Sequence, residues 1–323
     1  QAALREPFDV DGVELAMSAS IGIVVPTAEQ SSAEDVLRDA DVALYRAKDA
    51  GRGRAVAFDG EMRAALLRRG AIERDLRSAI GHDLHLAYQP VIDLADGRVL
   101  AFEALARWPH PDGPIGPAEF VAVAEESGLI RELGHWAVTA ACTEAAAWRR
   151  ALTTAPPVLV NVSAAELGPE LPALVARALE ATGLPASSLA LEVTERALID
   201  DAPATHEAIA RLAALGVRIY LDDFGTGQSA LSVLHRFQIH GVKLDRSFTA
   251  RLPGDRAAAA IVHATVAMAR ELSLDLIAEG VETQEQVDVL RRIGCPSAQG
   301  YLYAAPLDAD DALHLAAARG VRA

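Results

Sequence analysis

Residues 217–227 read VRIYLDDFGTG, an apolar run that stops on two adjacent carboxylates, Asp222 and Asp223, and then turns on two glycines. Branched and aromatic side chains in so short a run favour a strand, and the glycines after it permit a tight loop. The same pattern repeats outward in both directions. Short apolar runs occupy Leu86–Gln89, Val99–Glu103, Val158–Asn161, Leu189–Val193, Val242–Leu244 and Leu274–Ala278. Between them lie Ala-rich amphipathic stretches at 117–126, 131–150, 170–182, 204–215, 228–236, 256–272 and 283–293. This βαβα rhythm, running from residue 81 to the C-terminus, predicts an α/β fold with a parallel sheet. The number of units suits a closed (β/α)8, TIM-like barrel. A doubly wound open sheet is the alternative, but no GxGxxG follows the first strand to support it.

Nearly every apolar run ends on or beside a polar or charged residue: Glu103, Asn161, Glu192, Asp222 with Asp223, Lys243 and Glu279, with Gln299 closing a weaker run. The C-terminal ends of barrel strands share one face, so these residues are expected to converge. One acid at a strand end is usually a helix cap, and Glu195 and Glu282 taken alone read that way. Agreement among six strand ends points instead to a site. Its oxygen donors suit Mg²⁺ or Mn²⁺ rather than zinc. One of the adjacent aspartates would bridge two ions about 3.5–4 Å apart, an arrangement that activates water and stabilises the leaving oxygen in phosphoryl displacement. Lys243 among these acids is expected to stay protonated, which fits electrostatic stabilisation better than a Schiff-base aldolase, where a neutral amine is needed.

Composition narrows the function further. The formal charge of -15 excludes a generic binder of duplex DNA or RNA, which needs a basic face. Cys142 and Cys295 stand far apart without histidine partners, so neither a zinc site nor a disulfide framework is expected; a reducing, cytoplasmic setting is. No apolar run reaches membrane-spanning length. Gln1 is not an initiator Met and reads as the start of a fragment, with sensor or membrane segments in a longer parent chain.

Three zones follow from the pattern. Residues 1–59 hold a β-like run from Glu14 to Val25, a helix from about Ser32 to Asp49 capped by Ser31 or Ser32, and a short strand at Arg54–Phe58. That is too little for an independent core, so the zone reads as part of a domain. Residues 60–80 form one amphipathic linker helix, and 81–323 the barrel.

The motifs carry a resemblance. YQP at 88–90, EALAR at 103–107, NVS at 161–163, EVTE at 192–195, DDFGTG at 222–227, VKLDRSF at 242–248, AEGVE at 278–282 and QGY at 299–301 occur in order. Over residues 83–307 the chain resembles the EAL-domain cyclic di-GMP phosphodiesterases. The resemblance implies a modified barrel with one antiparallel strand and hydrolysis of cyclic di-GMP to linear pGpG with Mg²⁺ or Mn²⁺. It implies a first ion on Glu103, Asn161, Glu192 and Asp222, and a second on Asp222, Asp223 and Glu279. Lys243 would contact the attacking water and Glu279 act as general base. Substrate contacts are implied for Gln89, Ala106, Arg107, Asn161, Asp222, Lys243, Glu282, Gln299 and Tyr301. Glu195 would anchor the mobile DDFGTG loop, which in this family is tied to homodimerisation. Residues 1–59 resemble the C-terminal part of a GGDEF diguanylate cyclase domain, in PFDVDG, SASIGI, ADVALYRAK and GRGR, without the stretch that carries its signature. Two departures touch regulation more than chemistry: Gln228, Ser229 and Ala230 replace the family's Tyr-Ser-Ser, and His240-Gly241 replace an Asp-aromatic pair. A non-catalytic cyclic di-GMP receptor is the competing expectation.

Overall fold

The computed structural model describes residues 8–10, 13–15, 17–26, 32–199, 202–227 and 230–321. The chain divides into two compact units, Gln1–Asp75 and Leu76–Ala323.

In the first unit, β1 (Phe8–Val10) and β2 (Val13–Leu15) pair antiparallel, while β3 (Ile21–Ile23) pairs in parallel with β4 (Ala55–Ala57). The β-like run expected over 14–25 is thus two strands, β2 and β3, separated near Ser18–Ser20, where small polar residues give a strand little to pack. Helix α1 (Ala33–Asp49) crosses between β3 and β4. Ser32 caps it: its hydroxyl accepts from the Asp35 amide at 3.2 Å, and the Asp35 carboxylate accepts from the Ser32 amide at 3.1 Å. Ser31, the other candidate, lies outside the described residues. Helix α2 (Gly60–Ala79) runs unbroken through Gly70. Its Arg63 holds the buried Asp39 of α1 through two nitrogens, at 3.1 and 2.5 Å. Ile21, Ile23, Leu37 and Tyr45 stay exposed, so this unit buries only part of its apolar surface, as its short elements predict. The division between units falls inside α2, five residues before the expected linker boundary.

The second unit is a closed eight-stranded barrel. Its strands are β5 (His85–Asp93), β6 (Val99–Arg107), β7 (Val158–Val162), β8 (Leu189–Thr194), β9 (Arg218–Phe224), β10 (Gly241–Leu244), β11 (Asp275–Ala278) and β12 (Ser297–Gln299). All neighbours pair in parallel except β5, which is antiparallel to both β6 and β12. Closure through the β12–β5 pair excludes the open-sheet alternative and leaves no bare edge. The expected helices appear as α3 (Pro117–Ser127), α4 (Ile130–Ala151), α5 (Leu171–Thr182), α7 (Pro203–Ala214), α8 (Ala230–Arg236), α10 (Arg256–Glu271) and α11 (Gln284–Ile293). Three further helices were not anticipated: α6 (Glu195–Ile199), α9 (Arg246–Thr249) and α12 (Ala309–Arg319). Among the described residues no helix is long and apolar enough to cross a membrane.

Strand alternation sorts the side chains into two environments. Phe102, Val160, Leu191, Leu221 and Val242 point outward into the large core shared with the helices. Val91, Ala101, Leu159, Ala190, Tyr220 and Ile277 point inward and form a separate apolar layer inside the barrel. Two residues further along the parallel strands the inward positions become Glu103, Asn161, Glu192, Asp222 and Glu279. The polar ends noticed in the sequence are therefore the next inward layer, one repeat above an apolar floor.

Tyr220 belongs to that floor, and its hydroxyl donates to Asp275 Oδ2 at 2.5 Å. Its ring lies over its β10 partner Gly241, where an added Cβ would come within 2.4 Å of a ring carbon. The ring thus occupies the space that a side chain at position 241 would need. Gly241→Ala is expected to lower stability by about 1–3 kcal/mol, the usual cost of overpacking a pinned core group. A shift of the urea midpoint with unchanged slope checks it; an unshifted midpoint would show that the ring moves away freely.

Candidate active site

Lys243 is 1% exposed at the centre of the polar layer. Its Nζ lies 2.7 Å from Glu279 Oε1, 3.0 Å from Glu192 Oε1, 3.1 Å from Glu103 Oε2 and 3.6 Å from Asp222 Oδ1. Strands β6, β8, β9 and β10 and the residue after β11 each supply one of these groups. Glu103 is the most heavily bonded: besides Lys243 it accepts from Asn161 Nδ2 at 2.8 Å and from Gln299 Nε2 at 2.6 Å. Gln299 Nε2 also lies 2.9 Å from Gln89 Oε1, and Gln89 Nε2 donates to the Ala304 carbonyl at 3.2 Å.

These environments set the protonation states. Burial alone would raise the Glu103 carboxyl, but the Lys243 charge and the bonds from Gln299, Asn161 and Lys243 outweigh it and hold Glu103 below the ordinary carboxylate range. Burial would likewise lower Lys243, yet Glu103, Glu192, Glu279 and Asp222 together push it well above the ordinary lysine value. Glu192 moves the other way, raised by burial and then by the charge of Glu103. Burial, with Asp222 and Glu103 adding, pushes Glu279 up to about 7 against the pull of Lys243.

The donor set fits divalent cations. Both oxygens of the buried Glu192 lack a hydrogen-bond partner, although Lys243 stands within ion-pair range. Carboxylate oxygens of Asp222, Asp223 and Glu279 lie within 4.8 Å of one another. Among the described residues Lys243 is the cation within 4 Å of Glu103, Glu192, Asp222 and Glu279, with the Asp223 carboxylate beside them, so bound cations would offset an excess of negative charge. Hard oxygen donors without histidine or cysteine match Mg²⁺ or Mn²⁺. Asp223 has φ +54, a left-handed conformation costly for a residue with a side chain and the kind of strain that gathers at functional sites.

The remaining expected residues sit around this cluster. A cavity of about 260 Å³ is lined by Gln89, Glu103, Glu279, Glu282, Gln299 and Tyr301, together with Leu105, Arg246, Gly280 and Gly300. Ala106 and Arg107 end β6 beyond Glu103 and do not line it. Arg107 donates to the Ala106 carbonyl at 2.9 Å and lies within the electrostatic reach of Tyr301 and Glu103. Glu195 is buried, and a Cβ on Gly227 would fall 2.3 Å from its carboxylate, so the acid and the DDFGTG loop are in direct contact. Gln228 and Ser229 lie outside the described residues. Arg246 was not anticipated in the cavity; its signal was its place in VKLDRSF, three residues after Lys243.

Residues 73–306 match the EAL domain family, and residues 1–54 match the family described as diguanylate cyclase, GGDEF domain. The cyclic di-GMP phosphodiesterase NbdA of Pseudomonas aeruginosa is 39% identical over 307 residues, which is 94% of this chain and 39% of NbdA. The cyclic di-GMP phosphodiesterase PdeR of Escherichia coli is 36% identical over 310 residues, 95% of this chain and 46% of PdeR. A solved structure of the PaMucR phosphodiesterase in complex with c-di-GMP aligns with a TM-score of 0.72 and 40% identity, covering 75% of this chain and 99% of that one. The chain spans about two fifths to half the length of the curated relatives it matches. With the barrel, its reversed first strand and the acidic cluster all within the matched segment, the chain belongs to the EAL-domain family and has a GGDEF-domain fragment at its N-terminus.

Proposed function

We propose that this chain hydrolyses cyclic di-GMP to linear pGpG. The observation that carries the reading is Lys243 ringed by four carboxylates at the mouth of the barrel, beside the Asp222, Asp223 and Glu279 cluster. Glu103, Asn161, Glu192 and Asp222 would hold one Mg²⁺ or Mn²⁺, and Asp222, Asp223 and Glu279 a second. Such ions supply Lewis acidity and ease the ionisation of water. Glu279, with a carboxyl near 7, is tuned to take the proton from the attacking water. Lys243, kept charged by its neighbours, stabilises negative charge developing on the phosphoryl group. Water adds to one phosphorus, the bond to the 3′ oxygen breaks, and that oxygen leaves as a hydroxyl. The product keeps a 5′ phosphate.

Gln89, Gln299, Glu282 and Tyr301 line the cavity that would receive the guanine dinucleotide, while Ala106 and Arg107 lie outside it at the end of β6. Arg107 offers a planar donor fork suited to a phosphate. Contact between Glu195 and Gly227 supports Glu195 as anchor of the DDFGTG loop. Homodimerisation through the barrel, a cytoplasmic setting and the division into fragment, linker helix 60–80 and barrel belong to the same proposal. The complete donor set favours hydrolysis over a non-catalytic receptor.

Purified chain with Mn²⁺ is expected to convert cyclic di-GMP to pGpG, and removing the metal with a chelator should stop it. Metal affinity and kcat/KM should both rise as pH increases through about 7, because Glu279 must lose its proton to bind or to act as base. No product over hours at micromolar enzyme would overturn the proposal.

A further inference from the structure

Glu279 is held at three points. Its amide donates to the Leu244 carbonyl at 3.1 Å, its carboxylate meets Lys243, and its main-chain carbonyl accepts from the hydroxyl of Thr249. Thr249 is fully buried at the end of α9 and lines no part of the cavity. Its hydroxyl also lies 3.0 Å from the Arg246 carbonyl, so it stands between the two acceptors.

The next residue, Gly280, has φ +65, and a Cβ there would sit 2.5 Å from Arg246 Cβ. Glycine is required at this joint, and glycine leaves the adjoining peptide free to rotate unless something holds it. Gln286 braces the same turn from α11. Its Oε1 accepts from the Glu282 and Thr283 amides at 2.8 and 3.0 Å, and its Nε2 donates to the Thr249 carbonyl at 3.1 Å. Thr249 and Gln286 therefore link α9, α11 and the turn behind Glu279 in one buried network.

We propose that Thr249 is a positioning residue: its hydroxyl fixes the Glu279–Gly280 peptide and so aims the Glu279 carboxylate at the metal cluster, with Gln286 as brace. The inference rests on the reading of Glu279 as ligand and base. Groups that orient metal ligands typically change metal affinity or activity by about 10–100-fold when removed.

Thr249→Val keeps the shape and removes the hydroxyl, whereas Thr249→Ser keeps the hydroxyl. Titration calorimetry with Mn²⁺ on the full chain, at a pH above 7 so that Glu279 is ionised, should show T249V binding about 10–100-fold more weakly. Its kcat should fall with KM for cyclic di-GMP little changed, and T249S should recover both affinity and kcat. Unaltered Mn²⁺ affinity in T249V overturns the inference, as does an equal loss in T249V and T249S, which would mark a packing role. If wild-type protein made no pGpG, the proposed activity would fall, while the calorimetric comparison would still decide the role of Thr249.

Discussion

Glu103→Ala is expected to abolish turnover, lowering kcat by at least about a thousandfold, or ~4 kcal/mol of transition-state stabilisation. The expectation follows from its bonding. Glu103 receives Asn161, Gln299 and Lys243 at once, and their bonds and the lysine charge hold its carboxyl below the ordinary carboxylate range. Removing it takes away a ligand and frees the two amides that flank it, so Asn161 and Gln299 lose their common reference point. Stability should change much less. Lost hydrogen bonds cost about 1–3 kcal/mol each when a buried partner is left unsatisfied, but deleting one of several crowded negative charges offsets that cost. The check is pGpG formation in Mn²⁺ beside a thermal melt. A variant that folds and keeps turnover within tenfold of wild type would remove Glu103 from the mechanism.

Lys243→Met separates stability from chemistry. The ammonium is the only cation within 4 Å of these carboxylates among the described residues, and it is fully buried. Breaking a buried ion pair by deleting one partner costs about 3–5 kcal/mol because the remaining charge stays uncompensated. The metal-free variant should therefore unfold at markedly lower urea. Adding Mn²⁺ should recover much of that loss, since a divalent cation supplies charge in the same place, while turnover stays lost for want of the lysine. The pH dependence has a definite sign. Glu279 is raised when folded, so its contribution to stability is present below its ordinary value near 4.5 and is lost as pH rises through about 7. Glu192 is raised as well and acts in the same direction. The deficit of the variant should therefore be smallest in acid and grow toward neutrality. Equal metal-free stability of variant and wild type at neutral pH would show that Lys243 is not the counter-ion of the cluster.

Much of the barrel is legible in the sequence itself. The predicted helices of the barrel begin and end within one residue of their expected bounds, apart from the start of α8, where residues 228 and 229 lie outside those described, because their apolar spacing and flanking turns are local signals. Strand ends showed that these residues converge, because alternation places every second residue inside the barrel and the last inward positions of several strands are acids. The hidden parts are those whose signal is not local. Strand β6 continues to Arg107 because β5 pairs with it along its whole length, and no residue in EALAR marks that pairing. Thr249 and Gln286 act on backbone atoms. Gln286, three residues after Thr283, reads in sequence as an ordinary capping-box partner and is that as well. The Asp39–Arg63 pair joins two helices through residues that look like solvent-facing charges on each.

The reversed first strand has a topological consequence. In an all-parallel barrel the polypeptide arrives at the end opposite the reaction, and each strand carries it toward the active site. Here β5 descends: Gln89 stands opposite Glu103 and His85 opposite Arg107, so the start of the strand lies at the catalytic rim. The polypeptide therefore enters the barrel at the end that carries the acidic cluster. A displacement of the chain just before His85 would be delivered directly to the strand that carries Gln89, without crossing the barrel wall.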